Sequence, residues 1–447
     1  MTQRAAHMHE KDGKILLVFL YLVAYGLLLL LYASYVVPYW EYLGYIFDLQ
    51  IDRVFYGALI IAFFVVAIRQ DSSVRSILLN ILLTIYLLPA IVIYSAGGAN
   101  TTAFAIICSA VAVVFMVSAI PMARIYVINI RTKTLMWCVV AATATFVSLV
   151  IILGGYRNFN LNLAAVYEFR QAAADGLPGV FSYLRPVFSN VVIPFGIATA
   201  LVHRKYIVVF ILCFAALMLF GFTSHKSIIF IPIVVIFAFI VLKKFKKYSV
   251  LMSLFVLSLI LSQVDVFLIR GEEEAIFGWY SSLLTRRVLM QRALIEYQYL
   301  ELFSDISKYY WSYSRVTFGL VDDPHGINAP RLIGENFYGS SDANANTGFV
   351  GSGYSQAGIW GVYIYAVGVG LLFSFLQAYG KYMGVPYVVA ATSSFVLVIF
   401  AADFLTLFMT HGMLVLVLLF TLVRSPQAEG RDNGESHTLF NSAPQAG

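Results

Sequence analysis

Residues 206–242 read YIVVFILCFAALMLFGFTSHKSIIFIPIVVIFAFIVL. Two apolar runs, 206–223 and 227–242, are parted only by Ser224, His225 and Lys226. Each run approaches the roughly 20 apolar residues that a helix needs to cross a bilayer core. A helix on the surface of a soluble protein keeps one face polar, and neither run has such a face. The stretch reads as a tight hairpin of two membrane spans.

The rest of the chain repeats the pattern. Of 447 residues, 61% are hydrophobic and only 12% are charged, about half the roughly 25% of a soluble domain. About twelve apolar runs are long enough to count as spans, near 15–37, 54–68, 77–97, 104–123, 135–155, 187–203, 206–223, 227–242, 250–269, 361–380, 388–410 and 412–424. The expected fold is an all-α polytopic membrane protein. The first run is too long for the apolar stretch of a signal peptide, and no cleavage site follows it. It is therefore expected to stay as the first span. Residues 1–14 are expected to form a cytoplasmic N-terminus, 15–424 the membrane domain, and 425–447 a solvated, disordered cytoplasmic tail.

Charge sets the sidedness. Loops that alternate to one side (1–14, 69–76, 124–134, 203–205, 243–249, 381–387 and the tail), together with Arg424 at the end of the last run, hold seventeen Lys and Arg, whereas the short loops of the other side hold only Arg53 and Lys226. Short cytoplasmic loops carry the excess of Lys and Arg, so both termini are expected in the cytoplasm. The net charge of +6 is thus spent on topology and does not point to nucleic acid. Cys108, Cys138 and Cys213 lie inside apolar runs and form no CxxC. They read as small lipid- or helix-facing residues.

Two long loops, 156–186 and 270–360, fall on the outer side. Long loops in a protein of short turns are usually functional, and SSLLTRRVLMQRALIEYQYLELF (281–303) alternates apolar and polar positions at helical spacing, so the second loop is expected to be partly helical. These loops carry Arg157, Arg170, Arg185, Arg270, Arg286, Arg287, Arg292, Lys308, Arg315 and Arg331. Guanidinium groups suit phosphate because their donors match its oxygens in pairs. The same charges also serve as solvated partners for Glu272, Glu273, Glu274, Asp322 and Asp323. Lys226 either snorkels from a span boundary or meets an anionic lipid headgroup. Asp265 and Asp403 lie in or near spans, where an acid is costly and needs a partner. His325, in VDDPHGINAPR, sits in a tight turn where a neutral imidazole can take a proton, with Asp322 or Asp323 to orient it or to act as the base. The chain has no HExxH, paired Cys/His set or DxD, and GSG at 351–353 lacks the Lys-Ser/Thr of a phosphate loop. No zinc, magnesium, nucleotide or other cofactor is implied.

Residues 344–365, NANTGFVGSGYSQAGIWGVYIY, run from a glycine-rich polar strip into an apolar run. Glycine lets backbone approach a bulky ligand. Asn344, Asn346, Thr347, Ser352, Tyr354 and Gln356 offer donors and acceptors for sugar hydroxyls, of which Asn346, Tyr354 and Gln356 are the leading candidates.

Many spans, a medium and a large outer loop, and this strip before a later span resemble the O-antigen polymerases, the Wzy-type polymerases of oligosaccharide repeat units. That family carries an Arg-x10-Gly pattern in its two large periplasmic loops. Arg185 to Gly196 (RPVFSNVVIPFG) and Arg315 to Gly326 (RVTFGLVDDPHG) fit it, and Arg286-Arg287 is similar to the arginine pairs of the larger loop. The resemblance implies a GT-C-like layout in the bacterial inner membrane. It implies a membrane glycosyltransferase that uses an undecaprenyl-diphosphate-linked oligosaccharide as donor, with a chain-length regulator as a possible partner. It also implies roles: Arg286, Arg287, Arg315, Lys226 and Arg185 on the diphosphate, and His325 with Asp322 or Asp323 on the acceptor hydroxyl. An O-antigen ligase, which delivers glycan to lipid A core, remains the nearest alternative. A lipid-linked oligosaccharide flippase is the alternative from another class, although the sequence shows neither the repeats nor the broken helices expected of one.

Overall fold

The computed structural model describes residues 2–69, 71–125, 128, 130–162, 178–245, 248–269 and 278–423. Arg170, Arg270, Glu272, Glu273, Glu274 and the tail 425–447 lie outside them. All the regular structure among the described residues is helical, with two isolated bridge pairs and no strand. Nine of their helices are long and apolar enough to cross a membrane: Gly13–Leu43, Val74–Ala96, Thr101–Ser118, Thr132–Ile152, Val180–Val202, Tyr206–Thr223, Ser227–Lys244, Tyr248–Leu268 and Phe349–Met383.

The surface chemistry agrees with a lipid environment. On Tyr206–Thr223 the outward side chains are Ile207, Phe210, Ile211 and Phe214, with Ile207 77% and Phe210 71% exposed. They form one stripe at helical spacing, and it is wholly apolar. Water would penalise such a stripe on every outer helix, whereas lipid tails do not. The protein is a multi-pass α-helical membrane protein.

Nine helices stand against the twelve runs, and three local features account for the difference. The run near 54–68 is the helix Ile51–Ala67, 17 residues long, with Asp52 and Arg53 in its first turn. The run near 388–410 is divided into Val385–Ile399 and Phe404–Met409, with Asp403 at the join. The last run forms only Met413–Leu422, ten residues and about 15 Å at 1.5 Å per residue.

Two compact units make up the chain. The first holds 1–120, 245–374 and 399–404, and the second holds 121–244, 375–398 and 405–447. In the first, Tyr21 bonds Thr84 at 2.9 Å and Thr84 meets Tyr248 at 3.1 Å, tying three helices by hydroxyls. In the second, Phe195, Tyr387 and Phe420 pack ring on ring, and Thr199 bonds Tyr387 at 3.1 Å.

Four helices widen locally into π turns: Tyr32–Val36, Leu83–Leu87, Phe188–Val192 and Ser282–Met290. Three of them end two residues before a proline, Pro38, Pro89 or Pro194. A proline lacks the N–H for the preceding turn and its ring crowds the carbonyl there, so the helix widens to relieve both. Ser282–Met290 has no such proline, and it carries Arg286 and Arg287. π turns of this kind recur at functional sites.

Most of the described part of the long loop 270–360 is ordered. A helical stretch over 279–305 leads into turns, then Ala329–Tyr338. Ile295, Tyr299, Phe303, Tyr309, Ala329, Ile333 and Ala345 close a small apolar core of their own. The glycine strip, expected as loop up to residue 360, is helical from Phe349 onward.

Candidate functional site

The strip is glycine-rich because a buried carboxylate lies against it. Glu296 is 1% exposed, accepts from the Tyr86 hydroxyl at 2.8 Å through Oε1, and accepts from the Gly351 N–H through Oε2. Gly351 is in the first turn of the helix that starts at Phe349, where free N–H groups and the helix dipole favour a negative charge. A methyl on Gly348 would stand 2.8 Å from Oε1, and one on Gly351 would collide with Oε2. Tyr86 is itself clamped between Phe349 and Phe400, at 5.2 and 5.6 Å between ring centres. Burial raises the Glu296 carboxyl to about 7, against the opposing pull of the Tyr86 hydroxyl and the Gly351 amide.

The strip helix breaks after two turns. Ala357 (φ −147°, ψ 31°) and Gly358 (φ 58°, ψ −141°) leave helical geometry. Gly353 and Gly361 then approach so closely that a methyl on Gly353 would lie 2.6 Å from the Gly361 carbonyl oxygen. The turn at 309–311 seals the break. Tyr309 N–H donates to the Ser355 carbonyl at 3.0 Å, Tyr310 N–H to the Gln356 carbonyl at 2.8 Å, and Trp311 N–H to Gln356 Oε1 at 2.8 Å. Trp311 Nε1 donates to Tyr365, whose hydroxyl donates to Asp403 at 3.0 Å. The Tyr365 hydroxyl is thus one partner of Asp403.

The three sugar candidates separate accordingly. Gln356 spends its side-chain oxygen on the Trp311 main chain. Tyr354 lies under Lys308, with the ammonium 5.0 Å from its ring centre. Asn346 is exposed at the start of the strip.

Arg286 is held by a capped helix start. Asp265 accepts from Gly278 N–H at 2.8 Å, Ser281 N–H at 2.9 Å and Ser281 Oγ at 2.7 Å. Asp265, an intramembrane acid by sequence, is therefore the cap of this helix. One turn on, Arg286 is only 6% exposed. Its guanidinium lies 3.8 Å from the Trp40 ring centre and donates from Nε and Nη2 to Ser282 Oγ, at 3.3 and 2.9 Å. No carboxylate among the described residues pairs with it. A buried charge left uncompensated costs about 3–5 kcal/mol, so this is an expensive side chain to keep. Burial, and then the neighbouring Arg287 charge, lower its pKa, while Tyr35, Tyr45 and Tyr42 act the other way. Arg287 is exposed, and the Arg315 side chain lies outside the described ones.

His325 Nε2 donates to the Ser307 carbonyl at 2.9 Å. A carbonyl only accepts, so Nε2 carries the hydrogen and Nδ1 the lone pair. The ring packs edge-on against Tyr309 at 5.0 Å. Asp323 does not orient that ring. Its carboxylate takes the His325 main-chain N–H at 3.0 Å and the Tyr313 hydroxyl, building the turn. Asp322 is exposed.

In the second unit, Arg185, His225 and His411 come together from three separate segments. Arg185 Nη1 is 3.2 Å from His225 Nδ1, which also lies 2.6 Å from the Thr223 carbonyl. Burial, and then the Arg185 charge, lower the pKa of His411. Lys226 follows His225 directly. Of the expected phosphate ligands, Arg185 thus meets two histidines.

No family model, no curated protein and no solved structure matches this chain. Its chemistry is therefore read from the residues. The sequence pointed to the pair Arg286-Arg287, of which Arg286 is buried and Arg287 exposed. It gave no sign of Glu296, one acid among the aromatics of IEYQYLELF, nor of Trp40 and Tyr86, whose partners lie over two hundred positions away. Among the described residues no cluster of His, Cys, Asp or Glu is placed to hold a metal ion.

Proposed function

We propose that this protein polymerises lipid-diphosphate-linked oligosaccharide repeat units, transferring a growing glycan from one undecaprenyl diphosphate carrier to the terminal sugar of another, for O-antigen or a related surface polysaccharide. The observation that carries the reading is Arg286, a buried guanidinium without a carboxylate partner among the described residues, set in a π turn on the long loop. A departing diphosphate is the counter-charge that such a group lacks. In the reaction the acceptor hydroxyl oxygen attacks the anomeric carbon. The bond from that carbon to the phosphate oxygen breaks, and its electron pair leaves on the diphosphate. The hydroxyl proton passes to a base, for which His325 Nδ1, with its lone pair free, is the first choice and Asp322 the second. Arg287 and Arg315, on the same loop as Arg286, serve as further cations on a lipid diphosphate, and Arg185 and Lys226 are the candidates for that role in the second unit. The reading requires twelve crossings, both termini in the cytoplasm and the loop 270–360 outside the inner membrane. A chain-length regulator and membrane lipid are the partners that it implies.

A transporter reading has one observation in its favour, the helix broken at 357–358 beside the buried Glu296. Broken helices line the sites of many transporters. Detergent-purified protein given a synthetic prenyl-diphosphate-linked repeat unit separates the readings. A ladder of longer lipid-linked products supports the polymerase. Glycan appearing only on added lipid A core supports the ligase. No product in detergent, with translocation in vesicles, supports the transporter.

A further inference from the structure

The Arg286 guanidinium has donors to spare. Of its five N–H groups, two are used, both on Ser282 Oγ. The segment that closes over it contributes two more donors without acceptors. The Trp40 indole, whose face carries the guanidinium, has a buried Nε1–H that faces the Tyr35 hydroxyl but falls short of hydrogen-bond geometry, while that hydroxyl donates to the Gly278 carbonyl at 3.4 Å. Tyr45 is fully buried, its hydroxyl has no hydrogen-bond partner, and it is close enough to feel the Arg286 charge. Indole N–H can only donate, and guanidinium can only donate. Buried donors are nearly always satisfied in folded proteins. A cation with spare N–H groups and two unfilled donors, with hydroxyls but no carboxylate beside them among the described residues, describe a site that lacks its anion.

We infer that Trp40, at the end of the first span, and Tyr45, just beyond it, complete the Arg286 site as hydrogen-bond donors to a phosphoryl oxyanion borne on a prenyl lipid. The inference rests on the proposed function for the source of that oxyanion, and on Arg286, Trp40 and Tyr45 for its recognition. The division of labour is physical. Arg286 supplies the charge, Trp40 holds the guanidinium plane by stacking and donates at its edge, and Tyr45 donates from a second direction. A carboxylate ligand would satisfy the charge but presents fewer oxygens than these donors can fill.

The test uses full-length protein in detergent and two probes, inorganic pyrophosphate and farnesyl diphosphate, with binding measured by calorimetry. Trp40→Phe keeps the stacked face and loses the N–H, and Tyr45→Phe loses only the hydroxyl. Each is expected to weaken both probes about tenfold, the worth of one hydrogen bond to a charged group, with an unchanged melting transition in their absence. Farnesyl diphosphate is expected to bind more tightly than pyrophosphate, and equal binding would overturn the assignment to a lipid headgroup. Wild-type affinity in both single variants, with binding lost in Arg286→Ala, would overturn the roles of Trp40 and Tyr45 and leave the Arg286 reading standing. Wild-type affinity in Arg286→Ala as well would overturn that reading too. Should Trp40→Phe fail to fold, Tyr45→Phe decides alone, since its lost hydroxyl has no partner in the fold.

Discussion

Glu296 has a fully buried carboxyl whose ordinary pKa of about 4.3 is raised by burial to about 7. Between those values the folded protein binds a proton that the unfolded chain has released. Stability from this group is therefore complete below about pH 4, falls as pH rises toward 7, and is flat above. The loss amounts to about 3 kcal/mol across that window. Melting temperature against pH in detergent should show this slope in wild type and lose it in Glu296→Gln. Glu296 and Gly351 should also be coupled. Gly351→Ala drives a methyl into the carboxylate, and Glu296→Ala removes the carboxylate and leaves the Tyr86 hydroxyl unpaired. Each alone should lower the melting temperature, and the double variant should fall well short of their sum, because the clash is gone once the carboxylate is. A sequence shows glycines at 348 and 351 but not their reason. The carboxylate that requires them is some fifty positions upstream, and only folding brings it near.

The helix that begins at Phe349 illustrates what hydropathy can and cannot see at the scale of an element. The apolar run that starts near 361 is plain in the sequence, and a helix is found there. The two turns before it are polar and glycine-dense, so a loop is expected, yet they form helix because Glu296 caps their N–H groups. The break at 357–358 was equally hidden. It depends on Gly358 adopting a conformation open only to glycine, and on Gly353 and Gly361 meeting backbone to backbone. Gly358→Ala should cost about 1–3 kcal/mol through backbone strain. Gly361→Ala should cost more, because its methyl would meet the Gly353 carbonyl with no soft side chain to yield. Thermal unfolding of the two variants, compared with Gly339→Ala at an exposed helix end, checks the order. The π turns divide similarly. Three could be anticipated from Pro38, Pro89 and Pro194, whereas the one that carries Arg286 is set by the Asp265 cap and the packing over Trp40.

Across the whole molecule, membrane character is written in composition and the helices follow from it. Span number is less legible, because a run such as 388–410 looks continuous until Asp403 and its turn divide it. Sites are the least legible, since they join distant segments. Arg185 was named from the Arg-x10-Gly pattern and Lys226 from its place at an outer span boundary, and the fold adds His225 and His411 beside Arg185. His325 and Asp323 were chosen as a pair, and the fold spends Asp323 on the turn. The central claim is that the Arg286 guanidinium waits for a lipid diphosphate. The most direct measurement is elongation of a synthetic prenyl-diphosphate-linked repeat unit by purified Arg286→Ala, beside wild type of the same melting temperature. The account predicts a drop of a hundredfold or more, about 3 kcal/mol of lost transition-state stabilisation, with single-repeat material left unextended. Product ladders of equal length and rate from the two proteins would contradict it.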